Sequence, residues 1–336
     1  MMETRPLVVR TDRSATRTPP MEEAEELAKV NAEFLEGDCA TEDDIIGVAK
    51  DADVLLVTSA KVTRRVMEML PKCKAIVRYG IGYDTVDVEA ATDNGILVVN
   101  IPDFCFEEVS NHAILLLLAC AKKLVLMDKG IKRGRWAECK QVLPPMGSIW
   151  GETLGIIGCG NIGRMVAQKA RCFNLRVIGY DPFVDKAKAE ECGITLVNMP
   201  ELLKESDYIS MHTFLSKDTW HLLGEKELKQ MKPSAYLINA SRGPVIDEPA
   251  LIKALQEKWI AGAGLDVFEK EPVDPDSPLL TMDNVVAFPH TASYSDAAFK
   301  RLRRSVGQEA ARVLSGRWPK NVVNKQVKPK VTLLQG

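Results

Sequence analysis

Thr153-Leu-Gly-Ile-Ile-Gly158-Cys-Gly160-Asn-Ile-Gly163 is a short apolar strand, a glycine turn and the first turn of a helix. Gly158 permits the tight turn, Gly160 lets the backbone approach a pyrophosphate, and Gly163 lets the helix pack against the strand. The helix N-terminus offers free N–H groups and partial positive charge to phosphates. A glycine triplet alone is weak evidence, but its surroundings strengthen this one. A second apolar strand, 175–180, ends in Asp181, about 18 positions past Gly163, where a ribose-gripping acid is expected. The pattern points to dinucleotide binding. A carboxylate there accepts hydrogen bonds from a 2′-hydroxyl and repels a 2′-phosphate, which favours NAD.

Working outward, 336 residues suffice for about two domains. Strands are expected at 7–10, 31–35, 53–58, 75–78 and 96–99, with helices at 22–29, 41–50 and 63–70 between them. Thr41 caps the second helix, and acids fill its first turn. Pro102 breaks the chain. A long apolar helix, 107–126, follows, then a less regular stretch, 130–150. The glycine motif opens a second series of strands at 154–157, 176–179, 208–211, 235–239, 262–265 and 285–287. A last helix, 295–314, leads away. Alternating strands and helices imply parallel sheets covered on both faces. The expected fold is α/β with two doubly wound parallel-sheet lobes. A Rossmann cofactor domain, 103–294, is inserted into a flavodoxin-like substrate domain, 1–102 with 295–336. The active site is expected in the cleft between them, near strand carboxyl ends.

The net charge is −2 and no long basic run occurs, so nucleic-acid binding is not expected. The basic tail around Lys325, Lys328 and Lys330 reads as a solvated terminus. Residues 1–10 lack a signal-peptide h-region, and the longest apolar run, 113–121, is too short for a bilayer. Eight cysteines show no CxxC pair, so no metal is expected and reduced thiols in a cytoplasmic protein are. Cys159 reads as a small filler of the glycine turn.

Three candidate catalytic residues follow strands: Arg242 after 235–239, Glu271 in the loop after 262–265, and His290 after 285–287. Arginine is a planar bidentate partner for a carboxylate. Histidine can exchange a proton with the reacting oxygen, and a carboxylate behind the imidazole orients it and favours its protonated form. The trio suits interconversion of a 2-hydroxy and a 2-oxo acid. The other histidines read more blandly. His212 could cap its strand or line the cofactor cleft, His112 is structural, and His221 is a surface residue at a helix start.

Together these segments resemble the D-isomer-specific 2-hydroxyacid dehydrogenase family over nearly the whole chain. Arg78-Tyr-Gly-Ile-Gly-Tyr-Asp84-Thr-Val-Asp87 is similar to that family's substrate-lobe loop. Met231-Lys-Pro233 through Asn239-Ala-Ser-Arg242-Gly243 to Asp247 is similar to its most specific signature, and Asp266–Pro272 and Pro289-His290 complete the set. The resemblance implies Arg242, Glu271 and His290 as catalytic residues. It implies substrate binding by Tyr79, Gly80, Ile81, Gly82 and Arg242. It implies NAD held by Gly158, Gly160, Asn161, Ile162, Gly163, Asp181, His212, Thr213, Thr219, Ala240 and Asp266. The substrate would be a small 2-oxo or 2-hydroxy acid: glyoxylate, hydroxypyruvate, pyruvate or 3-phosphohydroxypyruvate. A homodimer through the dinucleotide lobes is implied, with helix 107–126 and segment 136–150 as contacts.

Departures from the pattern narrow this reading. Phe214 stands where proline is usual, and Asn111 replaces an acid. Thr291–Ser295 looks closer to the C-terminal binding protein branch. Thr58 stands where phosphoglycerate dehydrogenases carry a phosphate-binding arginine. Two other functions keep the same motifs: an NAD(H)-sensing corepressor-like protein, and oxidation of an inorganic oxyanion such as phosphite.

Overall fold

The computed structural model describes residues 5–12 and 21–334. Twelve strands are seen among them: β1 (Leu7–Arg10), β2 (Glu33–Glu36), β3 (Val54–Val57), β4 (Ala75–Arg78), β5 (Leu97–Val99), β6 (Thr153–Ile157), β7 (Arg176–Tyr180), β8 (Thr195–Leu196), β9 (Tyr208–Met211), β10 (Tyr236–Asn239), β11 (Gly262–Leu265) and β12 (Val285–Ala287). The chain divides into two compact units, Met1–Phe104 with Ser295–Gly336, and Cys105–Tyr294.

In the first unit the strand order is β2-β1-β3-β4-β5. Every pair is parallel, with Val8 opposite Val54, Leu55 opposite Ile76 and Ile76 opposite Val98. This is the flavodoxin-like order. Parallel strands covered on both faces read as continuous apolar runs, and Val54–Val57 is buried throughout. Helix Glu42–Ala49 begins at Thr41, whose hydroxyl accepts the Asp44 N–H at 3.2 Å, while the Asp44 carboxylate accepts the Thr41 N–H at 2.8 Å. This reciprocal cap satisfies two otherwise orphaned donors.

In the second unit the order is β12-β11-β10-β9-β6-β7-β8, again all parallel. It is the doubly wound dinucleotide-binding arrangement with one strand added beyond the sixth. The order reverses between β6 and β9, so ligands are expected outside the carboxyl ends of those two strands. The core under β9 and β10 holds Ile209, Leu237, Ile157 and Leu202, all fully buried.

Several expectations change. The long apolar helix is two helices, Phe106–Ala121 and Leu124–Lys132, because Lys123 takes a left-handed conformation (φ 51°). Neither Lys122 nor Lys123 is a helix breaker, so composition gave no warning. The irregular stretch contains a helix, Trp136–Gln141; helix Val88–Asp93 and the two-residue strand β8 also go unseen in the sequence. The basic tail is docked, not merely solvated. Asn324 is buried; its amide donates to Ile96 O (2.9 Å) and Thr92 Oγ1 (3.1 Å) and accepts from Val98 N (2.9 Å). Lys330 N donates to Gly95 O at 3.1 Å. The tail thus covers edge strand β5, whose unpaired backbone groups would otherwise be exposed.

Candidate active site

The glycine turn forms as its composition requires. Gly158 has φ +94°, and a Cβ there would lie 2.7 Å from the His212 backbone. A Cβ on Gly163 would lie 2.2 Å from Gly158 O, so helix Asn161–Arg171 can pack this close only through glycine. At Gly160 nothing stands within 4 Å of a Cβ position, which leaves its backbone open to a ligand. Among the described residues, the N–H groups of Asn161 and Ile162 at the start of that helix donate no backbone hydrogen bond. Asp181, just past β7, accepts N–H bonds from Cys159 (2.9 Å), Phe183 (2.9 Å) and Val184 (3.2 Å). Its carboxylate is therefore fixed against the glycine turn. Cys159 is fully buried, and burial first, with Asp181 adding to it, pushes its thiol up to about 12, too high for nucleophilic chemistry.

His212 and Thr213 follow β9. The His212 Nε2 lies 2.9 Å from Ser210 Oγ. The residue is partly buried, and burial pushes its pKa down to about 4. At neutral pH the ring is uncharged, so His212 is a poor proton donor. Thr213 Oγ1 is buried without a hydrogen-bond partner among the described residues. Thr219 donates from Oγ1 to Phe214 O (2.7 Å) and accepts from Ser216 N (2.8 Å), tying off that loop. An open glycine backbone, free helical N–H groups, a fixed carboxylate and an orphaned hydroxyl fit a nicotinamide dinucleotide.

Ala240 and Arg242 follow β10. Asn239 holds the turn: its amide donates to Arg242 O (2.8 Å) and accepts from Ser241 N (3.0 Å). A Cβ on Gly243 would lie 1.8 Å from Phe268 O, so the Arg242 loop and the loop after β11 touch through backbone. Arg242 Nη1 donates to Ser241 O at 2.7 Å.

Glu271 and His290 come together across 19 residues, with Glu271 Oε2 2.6 Å from His290 Nδ1. Glu271 also accepts the Phe268 N–H at 3.1 Å. Burial alone would raise its carboxyl, but the bonds from His290 and Phe268 and the nearby Arg242 charge hold it below the usual carboxylate range. Asp266 is fully buried and accepts N–H bonds from Thr291 and Ala292, both at 2.8 Å.

In the other unit, Gly80 has φ +126° and follows β4. Asn100 Nδ2 donates to Ile81 O (2.7 Å) and Ile101 N to Gly80 O (3.0 Å), which fixes the loop. Among the described residues, no backbone hydrogen bond is donated by Ile81 or Gly82. The sequence reading of Tyr79 as a substrate contact is corrected here. Its side chain is 4% exposed, and its hydroxyl donates to buried Glu23 at 2.7 Å. Burial of a phenol demands a partner, and the partner lies in the core.

Two further histidines meet carboxylates far along the chain. His221 is not at a helix start; it sits at φ 49° with Nε2 3.1 Å from Glu269 Oε1. His112 lies 3.4 Å from Asp266, a contact across more than 150 residues that no local pattern announces.

Residues 114–292 match the family model described as D-isomer specific 2-hydroxyacid dehydrogenase, NAD binding domain. The chain is 41% identical over 285 residues to a glyoxylate reductase of Korarchaeum cryptofilum, covering 84% of this chain and 86% of the relative. It is 42% identical over 288 residues to a D-3-phosphoglycerate dehydrogenase of Methanocaldococcus jannaschii, covering 84% of this chain but only 54% of that longer protein. A solved glyoxylate reductase from Paecilomyes thermophila superposes with a TM-score of 0.87 at 26% identity, over 96% of this chain and all of the other. With the parallel doubly wound sheet and its glycine turn, these similarities place the chain in the D-isomer specific 2-hydroxyacid dehydrogenase family of oxidoreductases, which work with a nicotinamide dinucleotide.

Proposed function

We propose that this protein is an NAD-dependent reductase of a small unphosphorylated 2-oxo acid, with glyoxylate the first substrate to test. The 2.6 Å pairing of His290 Nδ1 with Glu271, at the strand ends that also carry Arg242, supports this reading most directly. Arg242 binds the substrate carboxylate through its planar guanidinium. Glu271 holds Nδ1 of His290, which leaves Nε2 to hand a proton to the carbonyl oxygen as it gains negative charge. The nicotinamide ring, when bound, supplies the hydride to C2. The products are the 2-hydroxy acid and the oxidised cofactor. In the other unit we assign substrate binding to the backbone of Gly80, Ile81 and Gly82, not to the Tyr79 hydroxyl. Thr58 in place of an arginine disfavours a phosphorylated acid.

NADH oxidation, followed by absorbance across a panel of 2-oxo acids, tests the reading. Turnover of glyoxylate or hydroxypyruvate supports it. NADH binding with no turnover of any acid would favour the sensing protein, and phosphite-dependent reduction of NAD would favour the oxyanion reading.

Preference for NADH over NADPH follows from Asp181. Its carboxylate is fixed by three backbone N–H groups, so it cannot swing away from a 2′-phosphate. Two like charges held together cost several kcal/mol, and NADPH should be used about a hundredfold less efficiently. Asp181→Ala should shrink that gap by about tenfold or more. Equal use of both cofactors by the unaltered protein would refute the role given to Asp181.

We also infer a homodimer through the dinucleotide-binding unit. Helix Leu124–Lys132 fully buries none of its residues within the chain; Leu124 and Ile131 are exposed, and Val125, Leu126 and Met127 are half-buried. Trp136 and Trp150 nearby are 66% and 73% exposed. Apolar surface of this kind marks an interface. Light scattering should give twice the chain mass of 37.1 kDa, and Trp136→Glu should release monomer. A wild-type monomer would contradict the inference.

A further inference from the structure

His290 is held in an unfavourable backbone conformation. Its φ is +54°, and a residue with a Cβ persists there only where its surroundings over-determine it. Glu271 grips the ring, but it does not fix the backbone. Asp266 does. Its carbonyl accepts the His290 N–H at 2.7 Å, and its two carboxylate oxygens accept the Thr291 and Ala292 N–H groups. The aim of the imidazole therefore depends on where the Asp266 carboxylate sits.

That carboxylate is fully buried, and besides the strap it braces, it faces one ring. His112 projects from helix Phe106–Ala121 with nine-tenths of its side chain buried, and its Nε2 lies 3.4 Å from Asp266 Oδ1. The Nε2 atom is buried and makes no hydrogen bond among the described residues. A buried nitrogen left unsatisfied is costly, and Oδ1 is the acceptor within reach. The same ring packs edge-on against Phe288, centroids 4.6 Å apart at 83°. Phe288 is two residues before His290, so His112 touches the strap at its start and, through Asp266, at its end. Burial first, against an opposing pull from Asp266, lowers the His112 pKa.

We propose that His112 is a positioning residue for the reaction: its buried Nε2, 3.4 Å from Asp266 Oδ1, confines the Asp266 carboxylate and its ring packs against Phe288, so that segment 288–292 presents the His290 imidazole in one orientation. The proposal rests on His290 being the proton donor, as argued above. It concerns a residue that touches neither substrate nor the reacting atoms.

His112→Phe keeps a ring against Phe288 and removes the donor. His112→Gln restores an N–H near the Nε2 position. Steady-state kinetics with glyoxylate, NADH titration by fluorescence and thermal unfolding are measured for both and for the unaltered protein. His112→Phe should lower kcat about tenfold, with KM and NADH Kd within about twofold, and His112→Gln should recover most of that loss. Unchanged kcat in His112→Phe would overturn the proposal. So would a Gln variant as slow as Phe, or a loss confined to NADH Kd. If His112→Phe does not fold, His112→Leu replaces it; if neither folds, the role is structural and the proposal falls. Wild-type turnover is measured first. Its absence overturns the reading of the site and the His112 role with it, whereas normal wild-type turnover with unmoved variants overturns only the His112 role.

Discussion

Arg242→Ala is expected to lower kcat/KM for glyoxylate about a thousandfold and to leave NADH binding intact, since removing one partner of a desolvated, hydrogen-bonded charge pair costs ~2–5 kcal/mol. Arg242 sits on a turn locked by the Asn239 side chain, and the glycine after it lets the backbone of the Phe268 loop approach. The guanidinium is therefore presented from a rigid base. A truncated side chain leaves the substrate carboxylate without its planar partner and leaves the Glu271 and His290 pair without the neighbouring positive charge. Arg242→Lys should recover only part of the loss, because an ammonium is a point charge without the two-pronged geometry. Steady-state kinetics and NADH titration separate these effects. Full turnover by Arg242→Ala would show that the carboxylate is held elsewhere.

The second large effect is expected at His290. His290→Ala should reduce kcat by ~10²–10⁴, the range of a positioned general acid, with NADH Kd little changed. Glu271→Gln should cost less, about tenfold, because the amide can still meet Nδ1 but carries no charge to balance a protonated ring. His212, the other histidine at a strand end, cannot substitute. Burial pushes its pKa down to about 4, so at neutral pH the ring is uncharged and a poor proton donor. A selective loss of NADH binding in His290→Ala, with kcat kept, would contradict the acid role.

The parts of this site that were legible in the sequence are those governed by local backbone chemistry. Gly158, Gly160 and Gly163 announce themselves because each is needed for turn, approach or packing within a few residues of the others. Asp181 follows from the length of one helix and one strand. Arg242, Glu271 and His290 stand out because each follows a recognisable apolar strand, and strand carboxyl ends converge in a doubly wound sheet. The illegible parts depend on partners far along the chain. The fate of the Tyr79 hydroxyl is decided by Glu23, 56 residues earlier. The basic tail is docked because Asn324 meets Val98, 226 residues away. His112 looks like a filler on an apolar helix until Asp266 is brought beside it. Lys123 breaks a helix with no residue that usually does so, and only its φ records the break.

The most direct measurement is a transfer experiment with NADH carrying deuterium at the transferable C4 position and hydroxypyruvate as acceptor. Hydride transfer to C2 by a member of a D-isomer specific family predicts D-glycerate with one deuterium on C2, formed in step with NADH loss. NADH that binds yet keeps its label, or a product of the L configuration, would contradict the account.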